Sequence, residues 1–333
     1  DLLAECERLL TTIEINNPRT AGKIRKALKE HGMPVYEYLY VFQAEKLENL
    51  DLSECLIDDM DFLHKFPNLK VLNLEKNAIA DLTALEDLHA LESLSLGKNH
   101  ISDISPLSDL ASLQYLDLNN NLLEDISGLN NLPSLVEIDL SSNALTAIAD
   151  LDNLKNLEAL DLSYNLVSSL SAFENSPLKE LNIMNTDIND LQAAAGFTEL
   201  ESLYAGFPYV WKGNPLYLLK GKYELEDHFF EGITGLETLS GHPNIRKLYL
   251  SRLNTESLAP LTTMPNLERL PFHRFLGKDE HEARASLVNL KELTLDSGFS
   301  NTYFLANLTK LEKRSIETFC YVEDTSVISG LAN

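Results

Sequence analysis

The side chains that could do chemistry in this chain are few and far apart. His281 stands beside Glu282, His273 falls among arginines, and Cys320 precedes Asp324. A surface His next to a Glu is ordinarily just solvated, and a nucleophilic Cys320 would need an identifiable base and a lowered pKa. No Gly-rich phosphate loop, HExxH or paired CxxC is present. What does recur is a carboxylate: Asp117, Asp139 and Asp161 stand at a constant interval of 22 residues. Hard divalent cations take carboxylates, yet a row spread along an open sheet would wrap a single ion poorly. These residues predict no enzyme, no cofactor and no metal, and they leave the purpose of the acidic row to the elements that carry it.

Those elements are copies of one phrase. Its clearest form is Leu113-Gln-Tyr-Leu-Asp-Leu-Asn-Asn-Asn121, and the frame LxxLxLxxN begins also at Leu47, Leu69, Leu91, Leu135, Leu157, Leu178 and Leu200. Every step is 22 residues except one of 21. A fixed period of this length is the signature of a repeat solenoid. Leu116 and Leu118 alternate as in a strand, so both point inward. Asn121 ends the strand, where its amide can donate to and accept from the backbone of a buried turn. Asn77, Asn99, Asn143 and Asn165 fit the same role. Leu123, Ile126, Leu129 and Leu132 then return the chain at the three-residue spacing of a tight helical turn. No copy can cover its own leucines, so each depends on the next for burial.

With this frame, and with phrases such as Ile101-Ser-Asp-Ile-Ser-Pro-Leu107 and Leu123-Glu-Asp-Ile126, the chain resembles the leucine-rich repeat proteins. Within them it is similar to the 22-residue subclass shared by bacterial internalins and phosphatase-regulator-type proteins. The resemblance covers 47–207 closely and 245–311 more loosely. It implies an α/β fold: a right-handed solenoid with a concave parallel β-sheet, a convex side of short 3-10 or helical turns, and a helical N-terminal cap. It also implies protein binding without naming the partner, because one fold hosts many functions.

The predicted organisation is a helical cap over 1–46, regular repeats over 47–207, a degenerate repeat with a projecting loop over 208–244, and further repeats with a C-terminal cap over 245–333. In the N-terminal cap, residues 2–10 have helical leucine spacing. Thr20 is the expected N-cap of a second helix that carries Ile24 and Leu28 and stops at Gly32 and Pro34. Residues 35–42 form a strand or a further helix, with Tyr36, Tyr38, Tyr40 and Phe42 expected in the cap core. Leu200 to Ile245 is 45 residues, almost two periods, which predicts a hidden strand near Tyr223 to Leu225 and a loop at 208–219. Arg314 occupies a leucine place in the last copy, which predicts a final repeat remodelled into the C-terminal cap around Ile316, Phe319, Tyr321 and Val327.

The formal charge of −24 sits almost entirely on the repeats: it is 0 over 1–46, −22 over 47–207 and −2 over 208–333. Such a surface repels nucleic acid and anionic membranes and favours a protein partner with a basic segment. No run of eighteen apolar residues exists, which argues against membrane insertion. No signal peptide is evident, but the chain starts at Asp1 without a Met, so a leader could precede it. The compartment stays open between cytoplasm and secretion. Three cysteines, Cys6, Cys55 and Cys320, are odd in number and far apart, and Cys55 takes the first Asn place as a small buried residue.

Strand alternation selects the surface a partner can reach. The expected contacts are the central row Asp117, Asp139 and Asp161, Tyr115 and Tyr164 at opposite edges of the sheet, Tyr204 on the central column and Phe207 at its edge. Tyr209 and Trp211 of the loop join them, as do Tyr249, Arg252 and Arg274 of the last repeats, where Arg246, Lys247 and Arg269 make the inner face basic. Exposed Tyr and Trp supply large contact area at little entropic cost. Two readings of the Asp row stand side by side, a solvated phrase of the repeat and a counterpart for a basic segment. Trp211 is either a contact or a plug over the irregular strand. The predicted function is a non-catalytic protein-interaction module, a bacterial recognition or host-interaction domain. The alternatives are an intracellular regulatory subunit of an enzyme such as a phosphatase, and the substrate-recognition half of a larger enzyme.

Overall fold

A computed structural model describes residues 2–148, 151, 153–207, 232–273, 281–295 and 303–316. The chain divides into two compact units, Asp1–Leu157 and Glu158–Asn333. The first opens with helix α1 (Leu2–Leu9), strand β1 (Thr12–Ile13), helix α2 (Pro18–Glu30), strand β2 (Leu39–Tyr40), which runs antiparallel to β1, and one helical turn, α3 (Val41–Ala44). Pro18 fits the first turn of α2, and Asn17 Oδ1 accepts the amides of Arg19 and Thr20. Asn17, not the expected Thr20, is therefore the N-cap, and Thr20 is buried one turn inside. Ile24, Ala27 and Leu28 of α2 are buried with Val41 and Ala44. The expected aromatic cap core does not form. Tyr36 and Tyr38 stay 47% and 57% exposed, with Val35 between α2 and them also at 43%, because the connection from α2 to β2 runs over the outside of the cap. Tyr36 meets Tyr40 edge-on, and Tyr40 stacks on Phe42.

The repeats of the first unit place one short parallel strand after another: β3 (Asn49–Asp51), β4 (Val71–Asn73), β5 (Ser93–Ser95), β6 (Tyr115–Asp117) and β7 (Glu137–Asp139). The register advances one full repeat per strand, so Leu50, Leu72, Leu94, Leu116 and Ile138 lie side by side, none more than 2% exposed. Short 3-10 turns return the chain at Asp61–Lys65, Thr83–Leu85, Ser105–Leu107 and Ser127–Asn131. Each buries its leucine, Leu63, Leu85, Leu107 or Leu129, against the same core.

The turn after each strand is built by the asparagine. Asn121 Nδ2 donates to the Leu118 carbonyl and to the Leu96 carbonyl one repeat back, both at 3.0 Å, while its Oδ1 accepts the Ile101 amide at 3.0 Å. Asn77, Asn99 and Asn143 repeat this ladder. Asn165 makes the bond within its own repeat, to Leu162. The residue before the ladder position has φ near +55° throughout: Glu54, Lys76, Lys98, Asn120, Ser142, Tyr164, Asn185 and Arg252. A left-handed residue there costs about 1 kcal/mol unless it is Gly or Asn, and the buried amide bonds that follow offset it.

In the second unit the parallel strands are β8 (Ala159–Asp161), β9 (Glu180–Met184), β10 (Ser202–Gly206), β11 (Lys247–Ser251), β12 (Arg269–His273), β13 (Glu292–Leu295) and β14 (Lys313–Ile316). β14 contains Arg314, so the last copy keeps its strand even without the leucine. Thr186 stands in the asparagine place and does the same work with a shorter arm, donating to Ile183 and accepting from Ile188. The expected hidden strand has no place in the ladder: β10 pairs directly with β11, Leu203 beside Leu248. Thr234 bridges to Asp190 and Ile233 to Leu253, and the 3-10 turn Leu236–Leu239 completes the repeat that began at Leu200. The extra period is thus an insertion into one repeat. The loop at 208–219, the segment 223–225 and the C-terminal cap beyond Ile316 lie outside the described residues.

Candidate functional site

In the first unit, β3 to β7 present their third and fifth frame positions outward. The acids of that row are held by the backbone. Asp51, Asp117 and Asp139 each accept, through Oδ1, the amide two residues on, at 2.8 to 2.9 Å, and in the second unit Asp161 does the same for Ser163 at 2.8 Å. Asn73 and Asn182 make the identical bond. Beyond the aspartates that amide has left the strand and has no ladder partner, so an Asx turn satisfies it, whereas Met184 beyond Asn182 still ends β9. On the opposite side of the repeats Asp59, Asp81, Asp103, Asp125 and Asp190 cap the 3-10 turns in the same way. Much of the acidity of the repeats is therefore structural, a role the sequence reading did not consider. The capping bonds from Thr83 and Ser105 hold Asp81 and Asp103 below the ordinary carboxylate range.

Asp117 behaves differently. Burial pushes its carboxyl above the ordinary value; the Asn119 amide works against this and the Asp139 charge adds to it. In the second unit the comparable neighbours are Asp161 and Asn182, whose Nδ2 donates to Asp161 Oδ2 at 2.7 Å. Asp139→Asn would copy that pairing beside Asp117 and keep the bond to Ser141. The expected gain is about 1 kcal/mol at neutral pH, the scale of one like-charge contact at a protein surface. The sign with pH follows from the raised folded pKa: the repulsion is fully present above it and relieved as pH falls through it. Denaturant melts of parent and variant should converge on acidification, and a gap that widens would contradict the argument.

Aromatic side chains mark the second unit. Tyr204 and Tyr249, 45 residues apart in sequence, are register partners on β10 and β11. Their rings stack with centroids 4.5 Å apart and planes 20° from parallel, and both are half-buried. Burial pushes the Tyr204 phenol up; Glu180 and Tyr249 add to this and Arg269 opposes it. Gly206 and Ser251 end the two strands, and Pro271 follows Tyr249 on the next strand. The ladder between β11 and β12 skips the residues opposite Leu270 and Pro271, because proline has no N–H to give.

Several expected contacts fall elsewhere. Phe207 is 2% exposed, turned into the core after Gly206 takes φ +98°. Tyr164 and Arg252 occupy the left-handed turn position beyond their strands; Tyr164 is half-buried and the Nε of Arg252 is buried. The basic inner face is largely compensated, Arg246 and Lys291 by Glu268 at 3.2 and 2.9 Å and Arg269 by Glu292 at 3.4 Å. Tyr115 is 46% exposed on β6 as expected. Tyr209, Trp211 and Arg274 lie outside the described residues. Among the described residues no cluster of three or more His, Cys, Asp or Glu could hold a metal ion, and no helix is long and apolar enough to cross a membrane.

The family model for leucine-rich repeats in two copies matches residues 45–87, 89–131 and 133–175. A search of curated proteins finds no match. Among solved structures, an internalin (inlF) of Listeria monocytogenes str. 4b F2365 is similar over 95% of this chain and 87% of its own, with TM-score 0.74 and 25% identity. A leucine-rich repeat protein of Leptospira interrogans is similar over 83% and 74%, with TM-score 0.61 and 20% identity. The plant peptide hormone receptor RGFR1, solved in complex with RGF2, is similar over 86% of this chain and 46% of its own, with TM-score 0.59 and 19% identity. The latter two likenesses speak to the fold alone. The fold is typical of protein–protein interaction modules, which are generally non-catalytic. With its 22-residue frame, its asparagine ladder and its 3-10 returns, the chain carries leucine-rich repeats over 45–175 and folds as a leucine-rich repeat solenoid that resembles the internalins.

Proposed function

We propose that this chain is a non-catalytic recognition module of bacterial type that binds a protein partner on the strand face of its second unit. The observation that carries the proposal is the Tyr204–Tyr249 stack. Paired aromatic rings on a regular strand face offer rigid contact area of the kind that dominates interface hot spots. The likeness to a Listeria internalin over 95% of the chain supports the recognition class over a regulatory subunit of an enzyme. Glu180 beside the stack and Asp161 two strands away favour a segment that carries Lys or Arg on that flank. The test is capture of partners from candidate host or bacterial extracts by the parent and by a variant carrying Tyr204→Ala and Tyr249→Ala. Loss of a hot-spot pair worth about 2 kcal/mol or more weakens binding roughly thirtyfold. A folded double variant that recovers its partners undiminished removes this face from consideration.

A further inference from the structure

The clearest unclaimed surface lies at the N-terminal end of the first unit. β1 and β2 pair for only two residues, Thr12 with Tyr40 and Ile13 with Leu39. The Val41 amide bonds to Thr11, so hydrogen-bonded pairs fall at Thr11 with Val41 and Ile13 with Leu39, and the next in register is Ile15 with Glu37. That pair is not made. Among the described residues the amides of Ile15 and Glu37 and the Ile15 carbonyl meet no backbone partner. The Glu37 carbonyl is approached only by Arg25 at 3.4 Å. The two segments diverge around a slot of about 290 Å³ lined by Ile15, Ile24, Leu28, Val35, Tyr38 and Leu39, with Glu14, Glu37 and Arg25 also on its wall. Val35, Tyr36 and Tyr38 are exposed beside it.

We propose that this slot receives an extended strand of a protein partner with alternating apolar and basic side chains. Its main chain would take up the bonding groups of Ile15 and Glu37, its apolar side chains would sit over α2 beside Tyr38, and its basic ones would face Glu14 and Glu37. Unpaired extended backbone beside an apolar floor is the template that strand addition uses. Two carboxylates against the one guanidinium of Arg25, which is turned to the Glu37 carbonyl, select the charge. The region has a net charge of 0 against −22 for the repeats that follow, so the selection here is by those two side chains and not by the general field.

The experiment is a calorimetric titration of the full chain with an acetylated, amidated heptapeptide of alternating Val and Lys. Three comparisons accompany it: the peptide N-methylated at alternate amides, a Val and Glu version, and the chain carrying Ile15→Pro, which removes one donor just beyond β1. Saturable binding is expected, at least tenfold weaker with the methylated peptide, with the Glu peptide and with the Ile15→Pro variant. A double charge reversal, Glu14→Lys with Glu37→Lys, should transfer the preference to the Glu peptide. The Tyr204→Ala, Tyr249→Ala variant should bind as the parent does, which keeps this outcome separate from that of the strand-face proposal. No saturable binding, equal binding of the methylated peptide, or sedimentation showing a second copy of the chain in the slot would each overturn the proposal.

Discussion

Replacing Asn121 with Ala should cost about 3 kcal/mol of stability, at the upper end of what most single substitutions do. The side chain is buried, and it serves two turns at once. Its loss strands the Ile101 amide and takes one of two donors from each of the Leu118 and Leu96 carbonyls, which keep Asn143 and Asn99. Each buried group left unsatisfied costs about 1 to 3 kcal/mol, and water can reach only some of them in the cavity left behind. Asn121→Thr should recover about half the loss, since Thr186 already closes such a turn with its hydroxyl, though only within its own repeat. Contacts in a repeat array run between neighbours, so the damage should be local. Hydrogen exchange should quicken first around Leu96 to Leu123 and little near α2. A loss below about 1 kcal/mol in denaturant melts, or exchange that quickens evenly along the unit, would show that the ladder is decoration.

Gly206→Ala should be more damaging still to the second unit. Gly206 has φ +98°, and a Cβ there would lie 2.0 Å from the Ser251 carbonyl oxygen, 2.9 Å from its carbon and 3.0 Å from its nitrogen. All three are backbone atoms of the neighbouring strand, so no rotamer change relieves the clash, and the conformation itself is one that side chains avoid. The strands β10 and β11 must part, at an expected cost above about 3 kcal/mol. The Tyr204–Tyr249 stack depends on that register, so partner capture should fall with it wherever the unit still folds. Gly22→Ala is the matched control: it sits inside α2 with nothing within 4 Å of its new Cβ, and should gain about 0.5 to 1 kcal/mol from helix propensity. Equal melting of the Gly206→Ala variant and the parent would mean that this close approach is not real.

The reach and the limit of the sequence are both visible in these residues. The frame leucines have one solution. Buried leucines three and two residues apart, every 22 residues, need a neighbour of the same kind, and so the parallel register of Leu50, Leu72, Leu94 and Leu116 and the polar duty of Asn77, Asn99 and Asn121 follow from residue type and spacing. The Asn17 cap could also have been found, because Asn directly before Pro18 is a stronger start signal than a Thr two residues further on. The exposure of Tyr36 and Tyr38 was harder, since aromatic content argues for burial until the path of the connection over the outside of the cap is known.

What only the tertiary structure decided concerns groups whose role depends on what lies beside them across strands. The aspartate row looked like a free surface charge, and it became a set of turn caps once the amide two residues on was seen to have no ladder partner. Phe207 was grouped with Tyr204 as a contact by its place in the frame, yet it is buried with Leu203 and Ala205. The Tyr204–Tyr249 pair was hidden by an insertion that sets register partners on adjacent strands 45 residues apart. Periodicity reports burial because each apolar residue is buried by its own kind. It is silent on pairings set by where the chain leaves the repeat and returns to it.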